Sequence, residues 1–77
     1  MTREDDYGLQ ALILPRVQVH IFRREDRIIR SVKGALRSAE RNAVEQALAY
    51  VEQNAPGDCK RAIAVLDVAG FQVTLVR

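Results

Sequence analysis

The spacing of apolar and polar positions changes character along the chain. Val17, Val19 and Ile21 alternate with Gln18, His20 and Phe22, the two-residue period of a strand. The charged run Arg24-Glu25-Asp26-Arg27 then precedes the apolar pair Ile28-Ile29, so Arg16 to Lys33 is predicted to be a β-hairpin. An even-length loop centred on Glu25-Asp26 sets Phe22 opposite Ile29 and Val19 opposite Val32. An odd loop sets Ile21 opposite Ile29, and the pattern leaves both registers open. Beyond the strand-breaking Gly34 the period becomes helical. Ala43, Val44, Ala47, Leu48, Val51 and Ala55 follow i, i+3, i+4, i+7, with Arg41, Asn42, Glu45, Gln46, Glu52 and Gln53 on the other side. A helix is predicted from about Ala39 to about Asn54, with Ser38 as N-cap and Pro56-Gly57 as its stop.

Two apolar runs flank this middle section. Leu9 to Leu14 reads as extended, with Leu9, Ala11 and Ile13 on one face, and Pro15 makes it an edge strand with a break or a lead-in segment. Arg61 to Arg77 reads as a second hairpin turning at Ala69-Gly70, with Val68 opposite Phe71, Leu66 opposite Val73 and Ala64 opposite Leu75. The predicted fold class is α+β, an antiparallel sheet of two β-hairpins with one helix packed on one face, in the order ββαββ. Seventy-seven residues cannot divide their apolar content between two cores. Residues 1–8 are expected to be a flexible acidic N-terminus and 9–77 a single α+β domain, with a homodimer as one way to add buried surface.

Charge changes the picture, because it is uneven. Arg16, Arg23, Arg24, Arg27, Arg30, Lys33, Arg37 and Arg41 stand against only Glu25, Asp26 and Glu40, whereas Arg3 is outnumbered by Glu4, Asp5 and Asp6. Ten of the twelve cations are arginine, whose planar fork pairs with carboxylates and phosphates. These eight residues are the expected partner-binding surface. Read as a nucleic-acid surface, the same stretch offers phosphate contacts. Its aromatic support is thin, with two tyrosines and two phenylalanines in the chain, and the helix's outer glutamates would repel phosphate.

Candidate chemistry subtracts more than it adds. His20 is the only histidine and Cys59 the only cysteine, some forty residues apart. They suggest neither a nucleophile with its base nor a zinc site of four ligands. Lys60 and Arg61 favour a Cys59 thiolate, which makes it at most a modification site. Glu4-Asp5-Asp6 lacks the spaced ladder of a calcium loop and reads as a solvated tail. No catalytic residue, metal ligand or cofactor is expected, and the chain is not expected to be an enzyme. The acidic start does not resemble a signal peptide, no apolar run is long enough to cross a bilayer, and one cysteine suits a reducing interior. The expected location is the cytoplasm, without a membrane partner.

Val17 to Val32, Ser38 to Asn54 and Ala62 to Val76, read as charged hairpin, Ala-rich helix and terminal hairpin, resemble in layout several small phage-encoded anti-CRISPR proteins that block type I effector complexes. The resemblance implies a non-enzymatic inhibitor that binds a host protein or nucleoprotein complex through a charged surface. It transfers no functional residue. The expected function is a small protein-binding module of this kind, with a nucleic-acid-binding domain using the Arg-rich hairpin as the alternative.

Overall fold

Four strands and two helices with a 3.6-residue period make up the architecture of the computed structural model, which describes residues 7–24, 27–53 and 57–76. The elements run β1 (Tyr7–Ile13), β2 (Val17–Arg24), β3 (Arg27–Lys33), α1 (Ser38–Gln53), α2 (Asp58–Val68) and β4 (Gln72–Val76). The strands form one antiparallel sheet in the order β3-β2-β1-β4. The fold is thus α+β as expected, but three strands precede the helices and one follows. The expected acidic tail Glu4-Asp5-Asp6, the turn residues Glu25-Asp26 and the helix-stopping Pro56 lie outside the described residues.

The β2–β3 hairpin takes the even register, with Phe22 opposite Ile29 and Val19 opposite Val32. β1 begins at Tyr7, two residues before the apolar run, and it is an interior strand paired with both β2 and β4. The expectation of an edge strand or lead-in is corrected here. Pro15 lies beyond the strand, in a tight turn with a cis Leu14–Pro15 bond, where the Arg16 N–H donates to the Ile13 carbonyl at 2.8 Å. Its missing donor is therefore never asked to join the ladder.

The second hairpin is not present. Asp58 to Val68 is a helix, and Ala69-Gly70 closes it instead of turning a hairpin. Gly70 has φ +101°, its N–H donates to the Asp67 carbonyl at 3.0 Å, and the Phe71 N–H reaches back to the Leu66 carbonyl at 3.1 Å. This pair of bonds is the Schellman helix end, in which a left-handed glycine follows the last turn and an apolar contact accompanies it. Leu66 and Phe71 provide that contact, both buried. Ala62 and Leu66 face inward with half-buried Cys59 and Ile63, while Val68, expected to pair with Phe71 across the hairpin, is 88% exposed. The correction follows from period: Cys59, Ala62, Ile63 and Leu66 are spaced three and four apart.

α1 starts one residue earlier than expected, at Ser38 itself. The Arg37 carbonyl accepts from the Arg41 N–H at 2.8 Å, which places Arg37 at the N-cap and Ser38 in the first turn. Glu40 supplies the cap by accepting the Arg37 N–H at 2.9 Å, the returning half of a capping box. Ala43, Val44, Ala47 and Val51 then bury against Leu9, Ala11, Val17, Val19 and Ile21 of the sheet, with Ala62, Leu66 and Phe71 completing the core. Gly34 must lack a side chain, because at φ +99° an added Cβ would meet the Arg16 carbonyl oxygen at 2.0 Å.

This arrangement separates two apolar residues that a hairpin would have treated alike. Leu66→Ala is expected to cost about 2–5 kcal/mol in urea unfolding, the range for emptying a buried leucine site. Val68→Asp is expected to change stability by no more than about 0.5 kcal/mol, as exposed substitutions do. Equal losses at both positions would restore the hairpin.

Candidate functional site

Which face of the sheet each side chain occupies follows from the register, since directly paired residues share a face. Leu9, Ala11, Val19 and Ile21 lie under the helices, and their partners Leu75, Val73, Val32 and Arg30 lie on that side too. The alternate residues therefore occupy the opposite, helix-free face. From β1 these are Gly8, Gln10 and Leu12, and from β2 Gln18, His20, Phe22 and Arg24. From β3 they are Arg27, Ile29, Ser31 and Lys33, and from β4 Gln72, Thr74 and Val76.

Phe22 and His20 occupy the middle of this open face. Their rings stack with centroids 5.9 Å apart and planes 26° from parallel. Phe22 lies across its strand partner Gly8, where a Cβ would come within 2.7 Å of the ring. The glycine thus lets the ring lie flat on the sheet, which the aromatic in turn covers. Exposed Ile29 is directly opposite Phe22, and Ser31 opposite His20. No aspartate or glutamate occurs in any of the four strands, whereas Glu40, Glu45, Glu52, Asp58 and Asp67 all belong to the helices. Among the described residues, then, the open face carries Arg24, Arg27 and Lys33 with no carboxylate.

The eight cations singled out above do not converge on one surface. Arg16, in the β1–β2 turn, grips Glu40 with both guanidinium arms, Nη1 to Oε1 at 3.0 Å and Nη2 to Oε2 at 2.7 Å, and Nη1 also donates to the Ala35 carbonyl at 3.1 Å. Arg23 points to the helix side, where its Nη1 donates to the Val51 carbonyl at 3.1 Å. Arg30 meets Glu45 at 3.4 Å, an exposed pair of the kind worth well under 1 kcal/mol. Arg30 and Arg41 also line a cleft of about 470 Å³ between β3 and α1, with Val32, Leu36, Val44 and Glu45. Arg37, the N-cap of α1, is exposed. Arg24, Arg27 and Lys33 remain for the open face, so the hairpin's cations divide between both sides of the sheet.

Sequence reasoning passed over the stacked pair and Ile29 because nothing in a strand's alternation says which face will be covered. The one available signal was Gly8, a glycine inside an apolar strand, which marks a close approach by another group. At the neighbouring end of the sheet, burial raises the Tyr7 phenol above its ordinary value, with Cys59 and Asp58 adding to the shift and Arg23 opposing it. Asp58 is buried in the first turn of α2, 3.7 Å from Arg61. Among the described residues no group of three or more His, Cys, Asp or Glu side chains could hold a metal ion. Among the described residues no helix is long and apolar enough to cross a membrane.

The Arg16–Glu40 contact makes a pH prediction. Hydrogen bonding from Arg16, then from the Arg37 N–H, lowers the Glu40 carboxyl from 4.5 to about 2. A carboxylate with a depressed folded-state value stabilises the fold fully above its unfolded value and loses that contribution as pH falls through the folded one. The stability gap between the wild type and Glu40→Gln, read from urea melts, should hold above pH 4.5 and close as pH falls towards 2. A gap that stays constant over that window would remove the ion pair from the account. No family model, no curated protein and no solved structure matches the chain.

Proposed function

We propose that the chain is a non-enzymatic protein-binding domain that docks through the open face of its sheet onto a partner with an acidic rim. The observation carrying this reading is the composition of that face. Protein interfaces are enriched in aromatic residues and arginine and depleted of Asp and Glu at their centre, with a polar rim. Phe22, His20 and Ile29 form such a centre, Gln10, Gln18, Ser31 and Thr74 surround it, and Arg24, Arg27 and Lys33 add positive charge with no carboxylate on the face among the described residues. The charge steers an acidic partner, and the apolar centre supplies area to bury. An inhibitor of a host nucleoprotein complex is a narrower case of the same docking. It rests on element order alone, and the segment 62–76 that contributed to it as a hairpin is helix followed by strand.

Single-stranded nucleic acid is the second reading, favoured by the stacked Phe22 and His20 rings beside cations, since bases stack on exposed rings. It makes a different demand on salt, because phosphate binding releases counterions from the nucleic acid and that release gains less as the salt concentration rises.

Immobilised protein in nuclease-treated lysate tests the first reading. Ile29→Glu with Lys33→Glu should weaken retention of a protein partner at least tenfold, while Arg41→Glu and Arg61→Glu on the helix layer leave it unchanged. Circular dichroism should be the same for all. Retention by the face variant would reject this surface. A labelled oligonucleotide bound tightly, with a steep salt slope and loss in the same face variant, would assign the face to nucleic acid instead.

A further inference from the structure

The sheet's two edges are built differently. β3 carries Arg27, Arg30 and Lys33, and charges on an edge strand discourage its pairing with another chain. β4 reads Gln72-Val73-Thr74-Leu75-Val76, without charge or proline, and all five residues pair in unbroken register with β1. Its outer row of backbone N–H and C=O groups has no neighbouring strand among the described residues. Leu75 and Val76 are each 41% exposed. Such a β-branched, unguarded edge is what strands add to.

We propose that β4 pairs antiparallel with β4 of a second copy of this chain, making a continuous eight-stranded sheet across a two-fold axis at Thr74. The strand's own sequence identifies the occupant. Two copies of Gln72–Val76 overlap completely only with Thr74 on the axis. Thr74 then faces its counterpart, Val73 faces Leu75, and Gln72 faces Val76. Threonine pairs and aliphatic pairs are favourable across antiparallel strands, and no like charges meet. The same operation on β3 fails, because complete overlap centres on Arg30 and sets Arg30 against Arg30 and Arg27 against Lys33. Joining β4 to β3 of the next copy would leave open edges at both ends and grow without limit, whereas β4 on β4 closes.

The axis runs perpendicular to the sheet, so both open faces look the same way. Phe22 of each copy lies on β2, and five strand spacings of about 4.8 Å put the two β2 strands about 24 Å apart across the sheet. The docking face would thereby double. The dimer does not depend on the docking proposal, since it uses the edge and not the face.

Sedimentation equilibrium from micromolar to millimolar concentration tests the pairing. The mass should rise towards twice the chain's 8.7 kDa. Thr74→Lys should shift that rise to at least tenfold higher concentration with unchanged circular dichroism, and Ser31→Lys on the other edge should not move it. A chain with Thr74→Cys and Cys59→Ser should form a disulfide-linked dimer under oxidised glutathione, while one with Ser31→Cys and Cys59→Ser should not. This second measurement decides the matter if Thr74→Lys fails to fold. A monomer throughout, a dimer indifferent to Thr74→Lys, or open-ended oligomers would each overturn the proposal.

Discussion

Leu9, Ala11, Val17, Val19 and Ile21 put their side chains on one face of the sheet, and covering that face under Ala47, Val51, Ala62 and Leu66 decides where the remaining groups go. The two helices bury one face of the central strands β1 and β2, and no third layer among the described residues covers the other. Burial of each large aliphatic side chain is worth roughly 1.5–3 kcal/mol, so the strands cannot rotate their alternation to the other side without forfeiting most of the core. Half-buried His20 and Phe22 and exposed Ile29 are left on the uncovered face for that reason. The surface proposed for binding is what one-sided burial leaves over.

Two polar devices hold the layers in this relation. Arg16 in the first turn clasps Glu40, which at the same time caps α1, so one carboxylate ties the start of the helix to the sheet. At the other end of the helical layer, Gly70 turns the chain so that Phe71 enters the core and β4 runs alongside β1. Among the described residues the acidic side chains all belong to the helices, where Glu40 serves these needs and the outer sides are solvated. The strands contain none, and the charge separation between the layers follows.

Much of the fold was legible in local periodicity. Val17 to Ile21 alternates and Ala43 to Val51 steps by three and four, and both became the elements expected of them. The final third was misread for a physical reason. Ala69-Gly70 suits a two-residue hairpin turn and a helix C-terminus equally, because both need a residue with positive φ. Short apolar runs such as Ile63 to Val68 satisfy both periods, and only the inward spacing of Cys59, Ala62, Ile63 and Leu66 favours the helix. The site was legible in part. That arginines crowd the first hairpin is plain from the chain, but their destinations depend on which face is covered and on acids twenty or more residues away, such as Glu40 for Arg16.

The account rests on a sheet with one covered face and one bare one. Solvent paramagnetic relaxation with a neutral gadolinium chelate measures this directly in the free protein at concentrations low enough to keep it monomeric. Protons of His20, Ile29 and Thr74 should relax strongly, and the methyls of Leu9, Val19 and Ile21 should be nearly untouched. Shielding of His20 and Ile29 to the level of Leu9 would contradict it.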